Sequence, residues 1–382
     1  MARIVLGSYM VRYPLGGNLS WALQWLVGLQ RLGHDIYFVE KSGYSNSCFD
    51  PVRDIMSDDC SYGVAVVGDL FARFGLGGRW CYVDAGGRYY GLGRADVEDV
   101  FRSADLFIDM GTHGSWLAEA ATAKLRVLVE AEPGFTQMKM ARRLAAGEVL
   151  AEYDAYYSIG QNIGTAASTA PLAGRCWRSV FNPVVPELFA TTPAPVDGPF
   201  TTVMNWRAHE TISFQGGEFG QKDVEFERFA DLPTRTAVPL EIAVAGKEVP
   251  MDALRAKGWR LRNAHAVTKS VDTYYAYILA SRGEFSVTKN VFVATRSGWF
   301  SDRSAAYLAS GRPVVVQDTG LAAHLPCGEG LFAVETVDEA AAALDAVAAD
   351  YLRHARAARA IAEEHLAASK VLGGFVDELG VA

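Results

Sequence analysis

Between Thr295 and Val316 the chain sets a small-residue loop, Ser297-Gly298-Trp299-Phe300-Ser301, directly before Asp302-Arg303-Ser304. It then closes a helical stretch with Ser310-Gly311-Arg312-Pro313 and runs into three valines. The first N–H groups of a helix lack intrahelical partners and carry partial positive charge, so a loop of this kind is suited to holding an anion. In a chain that alternates strands and helices that anion is usually a phosphate. Asp302 fits two roles: a capping acid that complements the helix dipole, or a polar group offered to a ligand. Arg303 opposes the dipole, which an anion beside it would justify. A second loop, Gly16-Gly17-Asn18, lies between the first apolar run and the first helical stretch. At that place in a parallel sheet loops diverge and ligands bind, and glycines let the backbone come close. A tight turn without a ligand is the alternative reading.

These loops need a scaffold, and the pattern around them supplies one. Apolar residues at 2–7 predict a strand, residues 19–32 a helix with Gly33 as its C-cap, and 35–39 a second strand. Strand, glycine loop, helix, strand is the unit of a parallel sheet. Apolar runs at 63–67, 106–110, 127–129 and 155–159 extend the sheet, which ends near 181–185. Trp80-Cys81-Tyr82-Val83 and Arg88-Tyr89-Tyr90 around Ala85-Gly86-Gly87 read as an aromatic hairpin inserted into this domain. The stretch 189–200, with Thr191-Thr192-Pro193-Ala194-Pro195, reads as a linker. Further strands are predicted at 201–205, 240–245, 259–261, 285–287 and 314–316, and one or two helices over 337–368. The expected fold class is α/β, with two doubly wound domains facing a central cleft and a C-terminal helical segment. The expected boundaries are 1–188, a linker at 189–200, 201–350, and terminal helices at 351–382 that return towards the first domain.

Composition narrows the function classes. A chain of 382 residues exceeds one ordinary core, which favours two domains. Lys plus Arg number 36 against 44 Asp plus Glu, a net charge of −8 that argues against a nucleic-acid partner. The five cysteines form no C-x-x-C pair and read as reduced thiols. No apolar run reaches the ~18 residues of a membrane span. The N-terminus shows no basic, apolar leader, so a cytoplasmic protein is expected. Dispersed histidines and the lack of an Asp-x-Asp motif point to a site without a metal.

Gly16-Gly17, with a helix ending at Leu32-Gly33-His34-Asp35, resembles the opening of the GT-B glycosyltransferases. Gly298-Trp299-Phe300-Ser301 followed by a helix and Ser310-Gly311-Arg312-Pro313-Val314 resembles their nucleotide-sugar motif. Asn205-Trp206-Arg207 and Gly220-Gln221-Lys222-Asp223 resemble the basic pair that contacts the donor phosphates there. Ser301-Asp302-Arg303 with Gly311-Arg312-Pro313 looks like a bacterial branch with some members near natural-product pathways. The chain also departs from the family pattern. Many retaining members carry two glutamates eight positions apart, where this chain has Gly298 and Ala306. Many inverting members have a histidine where Ser297 stands.

The resemblance implies two Rossmann-like domains and a donor site built from Gly16, Gly17, Arg207, Lys222, Ser297, Gly298, Trp299, Ser301, Asp302 and Arg303. It implies hexosyl transfer from a nucleotide-diphospho-sugar to a hydroxyl of a small-molecule acceptor, with no cofactor. An isolated Lys222 would read as a solvated lysine among Asp223, Glu225, Glu227 and Arg228. In an inverting reaction His113 is the candidate base, oriented by Asp109, with Glu130 and Glu132 as alternatives. His34 reads as a surface residue. Tyr9, Arg12, Tyr13, Trp80, Tyr82, Tyr89 and Tyr90 offer either an acceptor surface or core packing. The nucleotide base is expected near Asn263-Ala264-His265-Ala266. Competing readings are a nucleotide-sugar epimerase or phosphorylase, and a catalytically silent partner with the same fold.

Overall fold

The computed structural model of the protein describes residues 1–208 and 210–381. Strand Arg3–Gly7 leads through a loop into helix Gly16–Arg31 and returns as strand Asp35–Lys41, parallel to the first with Arg3 opposite Asp35. That unit seeds an eight-stranded sheet. From one edge it runs Trp177–Ser179, Ala155–Ser158, Leu125–Glu130, Leu106–Asp109, Arg3–Gly7, Asp35–Lys41, Trp80–Val83, Tyr89–Gly91. All pairings are parallel except the last. A second, fully parallel sheet of six strands runs Arg260–Asn263, Leu240–Ala245, Phe200–Asn205, Gly283–Ser286, Val314–Gln317, Leu331–Val334. Strand order reverses direction beside Arg3–Gly7 and Leu106–Asp109 in the first sheet. In the second it reverses beside Phe200–Asn205 and Gly283–Ser286. Each reversal opens a crevice at the strands' carboxyl ends, the usual ligand position in such sheets.

The two halves are docked. Gly16 N–H donates to Thr268 O at 2.6 Å, and a Cβ on Gly16 would lie 2.3 Å from Ser270 O, so this close approach admits only glycine. Tyr275 OH bonds Ser20 Oγ (2.9 Å) and Gln24 Nε2 (3.0 Å) of the opposite helix. Residues 189–200 run between the sheets, and the chain crosses back after a wider helical turn at Ala362–Leu366. The two crossings pair with each other, Val184 N–H to Leu366 O and Ala368 N–H to Val184 O. Helix Ala368–Glu378 then packs on Gly16–Arg31, with Phe375 edge-on to Trp25 and Leu372 against Gly28. Ala382, the last residue of the expected terminal segment, lies outside the described residues.

Two expectations are corrected. Residues 63–67 form no strand: they lie in helix Ser61–Arg73, whose buried residues Gly63, Val67, Leu70 and Phe71 recur at helical spacing. The aromatic hairpin is not an insertion, because Trp80–Val83 is a parallel strand of the main sheet and Tyr89–Gly91 its antiparallel edge. Among the described residues no helix is long and apolar enough to cross a membrane.

Candidate active site

Buried carboxylates shape the N-terminal wall of the crevice. Glu40 accepts the N–H groups of Met10 (2.7 Å), Val11 (2.7 Å) and Arg12 (3.0 Å), and Arg12 Nε at 3.0 Å. These bonds fix the loop after the first strand. Asp109 accepts Thr112 N–H and Gly114 N–H, both at 2.8 Å, and Tyr153 OH at 2.6 Å. Glu130 accepts Glu132 N–H (2.8 Å), Gln137 Nε2 (3.1 Å) and the Ser158 hydroxyl. Burial nevertheless pushes the Glu130 carboxyl up to about 7.

Asp109 therefore orients the loop that presents His113 rather than the imidazole itself. His113 sits in the left-handed region (φ 51°) at the loop's exposed tip. Desolvation by the surrounding protein lowers its pKa against the opposing pull of Asp109. Tyr9 packs on Trp21 and Tyr13. Its phenol is raised by burial and then by the charges of Glu132 and Asp302, which places it between the two walls. Trp80 and Tyr82, by contrast, are core strand residues. His34 accepts Ala2 N–H at 3.3 Å, a surface structural role.

Cations line the C-terminal wall. Lys222 begins helix Lys222–Arg228, is 8% exposed, and has no hydrogen-bond or ion-pair partner among the described residues. Burial drives its pKa well down, and the neighbouring charges of Arg303 and Lys289 push the same way. Lys289 follows strand Gly283–Ser286 and reaches both Glu132 carboxylate oxygens at 2.5 Å across the cleft. Arg303 turns into its own domain, donating to Glu284 (2.5 Å), Ser286 Oγ (2.6 Å) and Val203 O (2.8 Å). Burial disfavours its charge, yet Glu284, together with Tyr274 and Asp302, outweighs that and raises its pKa. Several buried polar atoms beside the two reversals lack partners among the described residues: both amide atoms of Gln221 and the hydroxyls of Thr288, Ser8 and Thr112. Such atoms are rare in folded proteins and mark places where a polar ligand fits.

The sequence-predicted donor residues thus divide. Arg207 does not join Lys222: it lies half-exposed on the surface, paired with Asp223 at 2.5 Å and with Glu248. The 297–299 loop docks against the N-terminal domain. Ser297 O and Gly298 O accept Asn162 N–H (3.0 Å) and Gln161 N–H (3.2 Å), and Trp299 bridges Gly160. Gly298 has φ 71°, and a Cβ there would meet Asn162 N at 2.8 Å. Ser301 is the N-cap, accepting Arg303 N–H at 3.2 Å. Asp302 is the first helical residue, and burial raises its carboxyl pKa. Gly17 has open space around it while Gly16 is an interdomain contact. His265 faces Asp54 (3.2 Å) and Phe49 of the other domain. No group of three or more His, Cys, Asp or Glu side chains suited to a metal occurs among the described residues. Sequence reasoning missed Lys289 and Glu284; the only available signal was Lys289's place just beyond a predicted strand of the second sheet.

No protein-family model and no curated protein matches the sequence. Solved structures do. HepE of Anabaena, in complex with UDP and glucose, aligns over 100% of both chains at 12% identity with a TM-score of 0.56. An alpha-glucosyltransferase in complex with UDP and a 13-mer DNA aligns over 99% of both at 9% identity, TM-score 0.59. AviGT4, a glycosyltransferase involved in avilamycin A biosynthesis, aligns over 99% of this chain and 97% of its own at 13% identity, TM-score 0.53. With two doubly wound sheets docked over one crevice and full-length likeness to these proteins, the chain has the GT-B fold.

Proposed function

We propose that this protein transfers a glycosyl group, a hexose in our reading, from a nucleoside-diphosphate sugar to a hydroxyl of a small-molecule acceptor without a metal ion. The observation that carries it is Lys222, a buried lysine without a hydrogen-bond or ion-pair partner among the described residues, beside Lys289 at the reversal of the C-terminal sheet. As the glycosidic bond breaks, negative charge grows on the leaving diphosphate. Fixed cations in a water-poor site stabilise that charge without reorganising. HepE has been solved with UDP-glucose, and so has the alpha-glucosyltransferase, which supports a donor of this class. That enzyme's complexes contain DNA, but a net charge of −8 argues against a polyanionic acceptor here. AviGT4's role in avilamycin A biosynthesis supports a small natural product as acceptor. His113, its pKa lowered by desolvation and mounted beyond the carboxyl end of a central strand, would take the proton from the acceptor hydroxyl.

The test is release of nucleoside diphosphate from a panel of sugar donors, with and without acceptors. The reading expects release, and expects it to fall by about 100-fold or more in Lys222→Ala. Donor binding without any release would make the protein a silent partner. A sugar changed while still linked to its diphosphate would make it an epimerase. Full transfer activity in His113→Ala would remove His113 as the base.

A further inference from the structure

An ion pair crosses the crevice at the proposed donor site. Glu132, just beyond strand Leu125–Glu130, grips Lys289 Nζ with both carboxylate oxygens at 2.5 Å. The lysine side chain is 10% exposed and the glutamate 34%, so the glutamate is the partner more open to solvent. Arg303 and Lys289 both lie within electrostatic reach of Lys222, and Glu284, paired directly with Arg303, offsets part of that repulsion from within their own domain. Without Glu132, Lys289 would lose its carboxylate partner and Lys222 would keep only the longer-range pull of Glu284. Gln221 and Thr288, adjacent in sequence to those lysines, keep buried polar atoms unpaired. A carboxylate presents two oxygens on one atom, as an edge of a phosphate does, and charge-assisted bonds to either have similar geometry.

We propose that Glu132 is an internal stand-in for the donor's phosphate, holding Lys289 until an incoming diphosphate displaces it. The inference rests on the reading of this crevice as the donor site. The exchange keeps Lys289 paired: the Glu132–Lys289 contact opens and the partly exposed carboxylate turns to water, a phosphate–Lys289 contact forms, and Lys222 gains a direct anionic contact. Affinity is therefore set by a competition, and a ligand with two phosphates, able to engage both lysines, prevails over one with a single phosphate.

Calorimetric titration of the full chain with inorganic pyrophosphate and with UDP tests this. Glu132→Gln, and independently Glu132→Ala, should bind both probes about tenfold more tightly than the wild type, the loss of one partly exposed competing pair. Lys289→Met should bind them at least tenfold more weakly, and adding Glu132→Gln to it should change nothing further. Unchanged or weaker binding by both Glu132 variants, with native melting behaviour, overturns the exchange while leaving donor turnover intact. Tighter binding in those variants with no turnover of any sugar donor supports the exchange and sinks the transferase reading. Absence of pyrophosphate and UDP binding in every form defeats both.

Discussion

The two walls of the crevice use charge in opposite ways. On the N-terminal wall Glu40, Asp109 and Glu130 are buried, and each accepts at least three hydrogen bonds from neighbouring loop or side-chain groups. Those bonds satisfy the loops' own N–H groups and fix their shape. On the C-terminal wall the cations are unevenly satisfied. Arg303 is tied to its own sheet, the carboxylate that holds Lys289 comes from the other domain, and Lys222 has no hydrogen-bond or ion-pair partner among the described residues. Buried charges with internal partners build structure. A buried charge without one costs stability, and a ligand of opposite sign is the simplest reason to keep it.

That contrast predicts opposite responses to substitution. Lys222→Met keeps an unbranched side chain, one atom shorter, and deletes the charge. Transfer should fall by about 100- to 1000-fold, in line with losing one preorganised charge stabiliser. The melting temperature should hold or rise, because a buried cation driven towards neutrality is being removed. Steady-state turnover and a thermal melt decide it together; loss of both activity and stability would place Lys222 among the structural residues instead.

Asp109→Ala should show the reverse pattern. It strands two N–H groups and the Tyr153 hydroxyl, each of which costs about 1–3 kcal/mol when buried unpaired. Chemical denaturation should report a loss on the order of 3 kcal/mol, since solvent reaches part of the loop. Protein that remains folded should keep measurable donor hydrolysis. If stability is untouched while turnover collapses, Asp109 acts on the chemistry and the contrast between the walls fails.

Much of this arrangement was legible because it depends on local pattern. Glycine loops after apolar runs located the carboxyl ends of the strands, and the valines after Gly311-Arg312-Pro313 formed the expected strand Val314–Gln317. The misread run at 63–67 shows the limit: five apolar or small residues suit either period until Leu70 and Phe71 extend the helical face. Site pairings were harder to see because they are set by distant segments. Arg207 and Lys222 looked like partners, yet the hairpin of Ile212–Phe214 and Gly217–Phe219 intervenes and Asp223 draws the arginine outward. Lys289 and Glu132 meet from residues 157 apart, and nothing local to either announces the other.

Gly298→Ala probes the contact between the walls rather than either one. The new Cβ would sit 2.8 Å from Asn162 N on a backbone at φ 71°, so the loop must move. Strain of that kind costs about 1–3 kcal/mol. Hydrogen exchange should quicken at Gln161 and Asn162, whose N–H groups bond the 297–298 carbonyls, while strands Leu106–Asp109 and Phe200–Asn205 stay protected. Uniform loss of protection would mean that the loop supports the whole fold and not the interdomain contact.

The smallest effect separates the acids of the N-terminal wall from one another. Glu130 has its donors, yet burial still lifts its pKa from 4.5 to about 7. Between those values the folded protein holds a proton at Glu130 that the unfolded chain has released, so this group favours folding at low pH. Its contribution shrinks as pH rises from about 4.5 to 7 and stays lost above that. Glu130→Gln is neutral in both states and should remove the slope. Melting temperatures taken across this window should therefore decline less steeply with pH in the variant than in the wild type. Parallel curves would mean that the hydrogen bonds from Ser158, Gln137 and Glu132 hold the carboxylate ionised despite its burial.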